Sequence, residues 1–305
     1  MNTPRLQVLI HEESVANCDV MIEDAGGVEL LDVVRFENPN YLVLYFDVQN
    51  AIPHTFKIVL MYQRDMHVIF YELRKRCFLC RKPIDASDVV YLLMPDRFSR
   101  GRYSQTFSLR FREKSLCSVK PDARHGGDIV GVRNHLDYLA DLGVTSIWLT
   151  PVLENDMPSY SYHGYAITDY YFVDPRFGTN DDYREFVEEA HERGIKVIKD
   201  IVFNHCGSMN FLYMDMPSSD WFCNEGRFVQ TNFRPGTISD IHASSLDRLS
   251  MRDGWFVDSM PCFNQRNEHV MTYLIQSSVW WVEFAGIDGI RQDTYPYNDK
   301  DGMVM

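Results

Sequence analysis

The feature that most constrains this chain is a change of rhythm near residue 85. Before it, apolar residues alternate with polar ones: Leu6, Val8 and Ile10, then Leu42, Leu44, Phe46 and Val48, then Phe56, Ile58 and Leu60, then Val68 and Phe70. Gly26-Gly27, Asn38-Pro39-Asn40 and Pro53 punctuate these runs. A period of two puts every second side chain on one face of a strand, so the stretch predicts antiparallel strands of a β-sandwich over residues 1–84.

After it, the units become strand then helix. Residues 89–94 read as a strand, 131–142 as an amphipathic helix closed by Gly143, and 146–149 as a second strand. Residues 181–193 read as a helix with Gly194 at its C-terminal cap, 195–202 as a third strand, 267–284 as a helix and 287–290 as a fourth strand. Repeated β-then-α units argue for a parallel sheet with right-handed crossovers. Between His205 and Phe263 the pattern gives way to aromatic, polar and Met-rich sequence. That span, about 60 residues, is too long for a connection and predicts a small inserted domain.

Charge and composition exclude several function classes. With 30 basic and 43 acidic residues the net charge is −13, a surface that repels nucleic acid and anionic membrane and suits a neutral partner. No stretch approaches the roughly 20 apolar residues of a membrane span. Met1 to Arg5 are polar with no signal-peptide core behind them, so the expectation is a soluble, unsecreted chain. Of seven cysteines only Cys77 and Cys80 form a close pair, and without a second pair or a nearby His they read first as free thiols, a redox or zinc role being the alternative.

Polar clusters close two of the predicted strands. In Gly289-Ile290-Arg291-Gln292-Asp293 the Arg and Asp are two apart, which places them on one face of a strand. Alone, such a pair reads more readily as a structural salt bridge. A second cluster, Asp200 to His205, closes the strand before the insertion in the same style. The C-terminal ends of parallel strands are where an α/β barrel keeps its chemistry.

Both clusters resemble signature regions of the α-amylase family of retaining glycoside hydrolases. Tyr162-His163-Gly164-Tyr165 is similar to that family's sugar-stacking loop, and Met260-Pro261-Cys262-Phe263-Asn264 to the short region that closes its insertion. Residues 88–98 and His125-Gly126-Gly127-Asp128 resemble the first barrel strand and the entry to the first helix, in the same order and spacing. Residues 1–84 resemble part of the accessory β-domain of neopullulanases and cyclomaltodextrinases. The fold implied is α/β: an incomplete antiparallel β-sandwich (1–84), barrel units one to three (85–205), an inserted domain (206–264), then the third helix and fourth strand (265–305). That is the first half, about four βα units, of an eight-unit TIM barrel that needs about 250 residues.

The resemblance implies Asp293 as the nucleophile, with Arg291 keeping it ionised and oriented and Asp200 bracing Arg291. His205 and His163 would donate hydrogen bonds to sugar hydroxyls, Tyr165 would stack on a sugar face, and Tyr297 would stack in the acceptor subsites. The family's general acid is a Glu after the fifth strand. No Glu here takes that role: Glu283 falls on a helix, and Glu154, Glu225 and Glu268 fall in loops or caps. Without an acid, the chain alone is expected to lose orders of magnitude in rate.

No cofactor is required. Where relatives place calcium ligands after the first strand, this chain has Ser99-Arg100-Gly101-Arg102, and Cys262 stands where an acid is common. Arg100, Arg102 and a thiol do not suit a hard cation that takes six to eight oxygens, which leaves Asn204 and Asp128 as the residues that could hold calcium. The function implied is hydrolysis of α-1,4-glucans such as maltooligosaccharides, cyclodextrins, pullulan or starch, in a periplasmic or cytoplasmic bacterial setting, with a homodimeric parent enzyme. Two other readings are a non-catalytic glucan-binding protein and a non-functional truncated product.

Overall fold

The structure is a computed structural model and describes residues 3–75, 83–101, 111–114 and 116–304. Cys77, Cys80 and Arg102 lie outside the described residues. The chain divides into two compact units: Met1–Phe78 with Asp215–Ser219, and Leu79–Met214 with Asp220–Met305.

The first unit is built from β1 (Leu6–His11), β2 (Asp19–Glu23), β3 (Glu29–Arg35), β4 (Tyr41–Asp47), β5 (His54–Tyr62) and β6 (Asp65–Leu73). They form two three-stranded antiparallel sheets, in the orders β1-β4-β3 and β2-β5-β6. The period-two pattern explains the core. Leu42, Leu44 and Phe46 of β4 and Phe56, Ile58 and Leu60 of β5 meet in one apolar cluster with Leu6, Val15, Val28 and Val48. Each such side chain, taken from water, contributes about 1.5–3 kcal/mol before entropy is counted. On the other face of β4, Tyr45 donates its hydroxyl to the buried Gln7 side chain at 2.9 Å. Asp215 joins this unit by accepting from the amides of Asn38, at 2.5 Å, and Asn40, at 3.0 Å.

In the second unit, β7 (Val90–Leu93), β8 (Ser146–Leu149), β11 (Lys196–Ile201) and β12 (Gly289–Gln292) pair in that order, every pair parallel. Helices lie between them in the chain. Asn180–Glu192 starts with a capping box in which Thr179 and Asp182 each bond the other's backbone N–H, and Glu268–Ala285 starts at Asn267, whose side chain accepts from His269 and Val270 N–H, and ends at Gly286 with φ 73°. The helix expected over 131–142 is two helices, Ile129–Arg133 and Leu136–Asp141. The break lies at His135, whose ring nitrogen takes the Gly131 carbonyl at 2.8 Å while its own N–H turns to Val132 O at 3.0 Å. A side chain has displaced the i−4 backbone bond there.

Between β8 and β11 the chain makes a short antiparallel pair, β9 (Leu153–Glu154) with β10 (Asp169–Val173), that sequence periodicity did not suggest. Glu154, expected in a loop, therefore sits on a strand and accepts from Thr168 Oγ1 at 2.8 Å. The 206–264 stretch contains the short helices Phe211–Met214, Gly236–Ser239 and Ser245–Arg252, and Cys223, Trp255 and Cys262 form a small apolar cluster. Among the described residues no helix is long and apolar enough to cross a membrane.

Register divides the parallel sheet into two faces. Ile147, Leu149, Val197 and Lys199 point to the helix-covered face and are buried. Trp148, Asp200 and Arg291 share the opposite face, since Trp148 pairs with Ile198 and Asp200 with Arg291. Lys199 is the outlier among its buried neighbours: its ammonium lies 3.9 Å from the Trp281 ring and 4.5 Å from the Tyr183 ring, with no hydrogen-bond partner among the described residues. Burial pushes its pKa down from 10.5 to about 7. The unfolded chain therefore binds a proton that the folded one has lost between pH 7 and 10.5, and this group adds stability as pH rises through that window, by no more than about 1.4 kcal/mol per pH unit. Lys199→Met should melt higher than the native sequence at pH 7 and show less gain from pH 7 to pH 9, as calorimetry at the two pH values will measure.

Candidate active site

Asp200 and Arg291 are direct register partners on β11 and β12, and Asp293 follows two residues after Arg291 on the same face. Arg291 Nη1 donates to Asp293 Oδ1 at 2.6 Å and to both oxygens of Asp200, at 3.0 and 3.1 Å. One guanidinium nitrogen thus ties two carboxylates on adjacent strands. The Asp200 carboxylate is fully buried and also accepts from Trp148 Nε1 at 2.9 Å and the Tyr165 hydroxyl at 3.2 Å. Burial pushes the pKa of Asp200 up to about 6, against the pull of the Trp148 hydrogen bond and the Arg291 charge.

The backbone around Asp293 is held as firmly as its side chain. Its N–H donates to Ile201 O at 2.8 Å, and its carbonyl accepts from the buried Asn298 amide at 3.2 Å. Thr294 then turns the chain with φ 46°, in the left-handed region that a β-branched residue rarely enters.

Between β9 and β10 a loop carries His163 and Tyr165. Gly164 makes the turn with φ +83°, and a Cβ there would lie 2.0 Å from Pro151 O, so no other residue fits. Tyr165 N–H donates to His163 Nδ1 at 2.9 Å, which leaves the His163 proton on Nε2. The Arg291 guanidinium sits 4.8 Å from the Trp148 ring centre and 5.9 Å from that of Tyr165.

His205 lies shortly after the end of β11 and is buried. Its Nδ1 is 3.2 Å from Asn204 Oδ1, and the backbone of Tyr165 also faces the ring. Nε2 has no hydrogen-bond partner among the described residues, and Phe256 packs edge-on against the ring at 5.5 Å. Phe256 also meets Tyr297, 4.8 Å away. Burial lowers the pKa of both His205 and His163 to about 4, and the Arg124 charge adds to the effect at His163. Both imidazoles are neutral at neutral pH.

The residues left for calcium have other partners. Asp128 Oδ1 caps the helix Ile129–Arg133 by accepting from Gly131 N–H at 2.7 Å, and it also accepts from Gly101 N–H at 3.0 Å. The Asn204 amide faces Tyr297 O at 3.4 Å and Cys262 Sγ at 3.9 Å. Arg100 donates to the carbonyls of His125 and Gly126. Among the described residues no cluster of three or more His, Cys, Asp or Glu side chains could hold a metal ion.

Residues 92–304 match the model of the alpha amylase catalytic domain, and residues 1–77 match that of the cyclomaltodextrinase N-terminal domain. The chain belongs to the alpha-amylase family. Its sequence is 34% identical over 219 residues to a cyclomaltodextrinase of Thermoanaerobacter pseudethanolicus, covering 67% of this chain and 34% of that protein. It is also 34% identical over 206 residues to neopullulanase 2 of Thermoactinomyces vulgaris, covering 67% and 33%. The chain therefore spans about a third of the length of these relatives. Among solved structures, the alpha-amylase of Geobacillus thermoleovorans, complexed with acarbose, is 35% identical with a TM-score of 0.55, over 70% of this chain and 42% of that one. The type III pullulan hydrolase of Thermococcus kodakarensis is 27% identical with a TM-score of 0.54, over 99% and 55%. The barrel fold of the alpha-amylase family, with an N-terminal domain before it, is thus the fold of this chain.

Sequence reasoning missed Trp148 and Phe256. Trp148 could have been found from strand parity, because its partner Ile198 is two residues before Asp200 and so on the same face. Phe256 lies in the 206–264 stretch, where no period assigns a side chain to a neighbour.

The titrating groups of this alpha-amylase-family site act in opposite directions on stability. Each imidazole is about 4 in the folded chain against 6.5 unfolded, so its contribution is lost as pH falls through that interval. Asp200, at about 6 against 3.8, holds its proton in the folded state and adds stability as pH falls from 6 to 3.8. His205→Gln should therefore lose less melting temperature than the native chain between pH 7 and pH 4.5, which thermal melts at both pH values will measure.

Proposed function

We propose that this chain carries the nucleophile half of a retaining α-glucan hydrolase, its four parallel strands being the first four of an eight-stranded barrel and 206–264 its inserted domain. The observation that carries the reading is the shared Arg291: its Nη1 holds the Asp293 carboxylate 2.6 Å away while Asp200 fixes the guanidinium from behind. A carboxylate held beside a cation at the C-terminal end of a barrel strand is equipped to attack an anomeric carbon and form a glycosyl-enzyme intermediate. Tyr165 offers its ring as a sugar platform, and His163 Nε2–H is the donor to a sugar hydroxyl. With Phe256 displaced, His205 is a second donor to a sugar hydroxyl, and Tyr297 flanks the acceptor side.

The relatives named cyclomaltodextrinase and neopullulanase support cyclodextrins and pullulan as the substrate class, with maltooligosaccharides and starch beside them. The reaction needs no cofactor. No Glu of this sequence is assigned as general acid, so glucans with a poor alkoxide leaving group should react 10²- to 10⁴-fold more slowly, on the order usual for loss of an acid. A fluoride leaving group needs no protonation. A 5-fluoro-α-maltosyl fluoride therefore tests the nucleophile by itself, because the ring fluorine slows breakdown of the intermediate. Intact-mass analysis should find one added glycosyl group, mapped by peptide digestion to Asp293 and absent in Asp293→Asn. Binding of the reagent with no adduct, or an adduct on another residue, would favour the glucan-binding reading.

A further inference from the structure

Two buried thiols beside the site have no part in the proposed chemistry. Cys223 and Cys262 lie at the two ends of a stretch that holds Arg252, Asp253, Trp255 and Phe256. Their sulfurs are 3.1 Å apart, and both side chains are buried, at 4% and 1% exposure. The backbones that carry them are already joined: Cys223 N–H donates to Cys262 O at 2.8 Å, and Phe222 bridges Phe263 in antiparallel fashion. Cys262 in turn bridges His205. Adjacent antiparallel strands hold their Cα atoms about 4.5–5.5 Å apart, inside the range a disulfide spans.

We propose that Cys223 and Cys262 are a dithiol site that a disulfide oxidant converts to a covalent staple across the 223–262 loop. The sulfurs need to close by about 1 Å to reach bonding distance near 2.05 Å. One cysteine, as thiolate, attacks a sulfur of the oxidant and expels one thiol, leaving a mixed disulfide. The second cysteine displaces the remaining half. Two S–H bonds become one S–S bond, and the oxidant is reduced to two thiols that take up both protons. A small cavity lined by Arg252, Asp253, Gln265 and Arg266 borders both cysteines and is the side from which a reagent reaches them. The contact with Cys223 and burial push the Cys262 pKa up, so exchange is slow and proceeds when the loop opens.

The staple has a consequence for the site. It fixes the segment at His205, which Cys262 bridges, to the root of the stretch carrying Phe256, the ring packed edge-on against His205. Loop closure of this length restricts the unfolded chain more than the folded one.

Incubating the whole chain with oxidised glutathione in urea below its unfolding transition, then blocking free thiols and digesting, reads the site directly. The expected result is a peptide pair linked through Cys223 and Cys262, a melting temperature raised by about 5 °C or more, and full reversal by a reductant. Cys206→Ser should keep the shift and Cys223→Ser should abolish it. Linkage through Cys206, or both Cys223 and Cys262 recovered with the blocking group, would overturn the proposal. The peptide map needs no variant, so it decides the question even where a substitution prevents folding.

Discussion

The site depends on one register pairing. Because Asp200 and Arg291 face each other on neighbouring parallel strands, a side chain of β12 reaches a carboxylate of β11 without leaving its strand geometry. A slip of one residue would send Arg291 to the helix-covered face among Ile147, Leu149 and Val197 and leave Asp200 buried without its cation. The apolar packing behind the sheet thus fixes the electrostatics in front of it. The pairing is also strong for the same reason: a fully buried carboxylate is costly unless it is charge-paired and hydrogen-bonded, and Asp200 has Arg291, Trp148 and Tyr165 around it.

Much of this architecture was legible in the sequence because short-range rules govern it. The strand expected over 195–202 is Lys196–Ile201, and the helix expected over 181–193 is Asn180–Glu192, bounded by a capping box and a glycine that local chemistry identifies. The same-face placement of Arg291 and Asp293 followed from strand parity alone. What escaped was decided at long range. His135 splits a helix with a side-chain bond no periodicity registers, and the β9–β10 pair is too short for its alternation to stand out. Phe256 reaches His205 across some fifty residues of chain, and its effect is to cover the imidazole.

Two treatments of buried charge coexist on one strand. Asp200 and Lys199 are neighbours in sequence and point to opposite faces of the sheet. The carboxylate is surrounded by donors, whereas the ammonium faces the rings of Trp281 and Tyr183 and has no hydrogen-bond partner among the described residues. The first arrangement holds a charge for use, and the second tolerates one at a cost in stability.

The Asp200 carboxylate also has a consequence for how such a site can change. Its oxygens accept from the Tyr165 hydroxyl and from Arg291, which also donates to Asp293. In the proposed reading, recognition and reaction therefore meet at the Oδ2 atom of Asp200. A substitution that reshapes the sugar platform by removing the Tyr165 hydroxyl also strips a donor from the anion that aligns the guanidinium. Under the proposed function, diversification of the glucan would be channelled away from Tyr165, toward positions that can vary without loosening the Asp293 carboxylate.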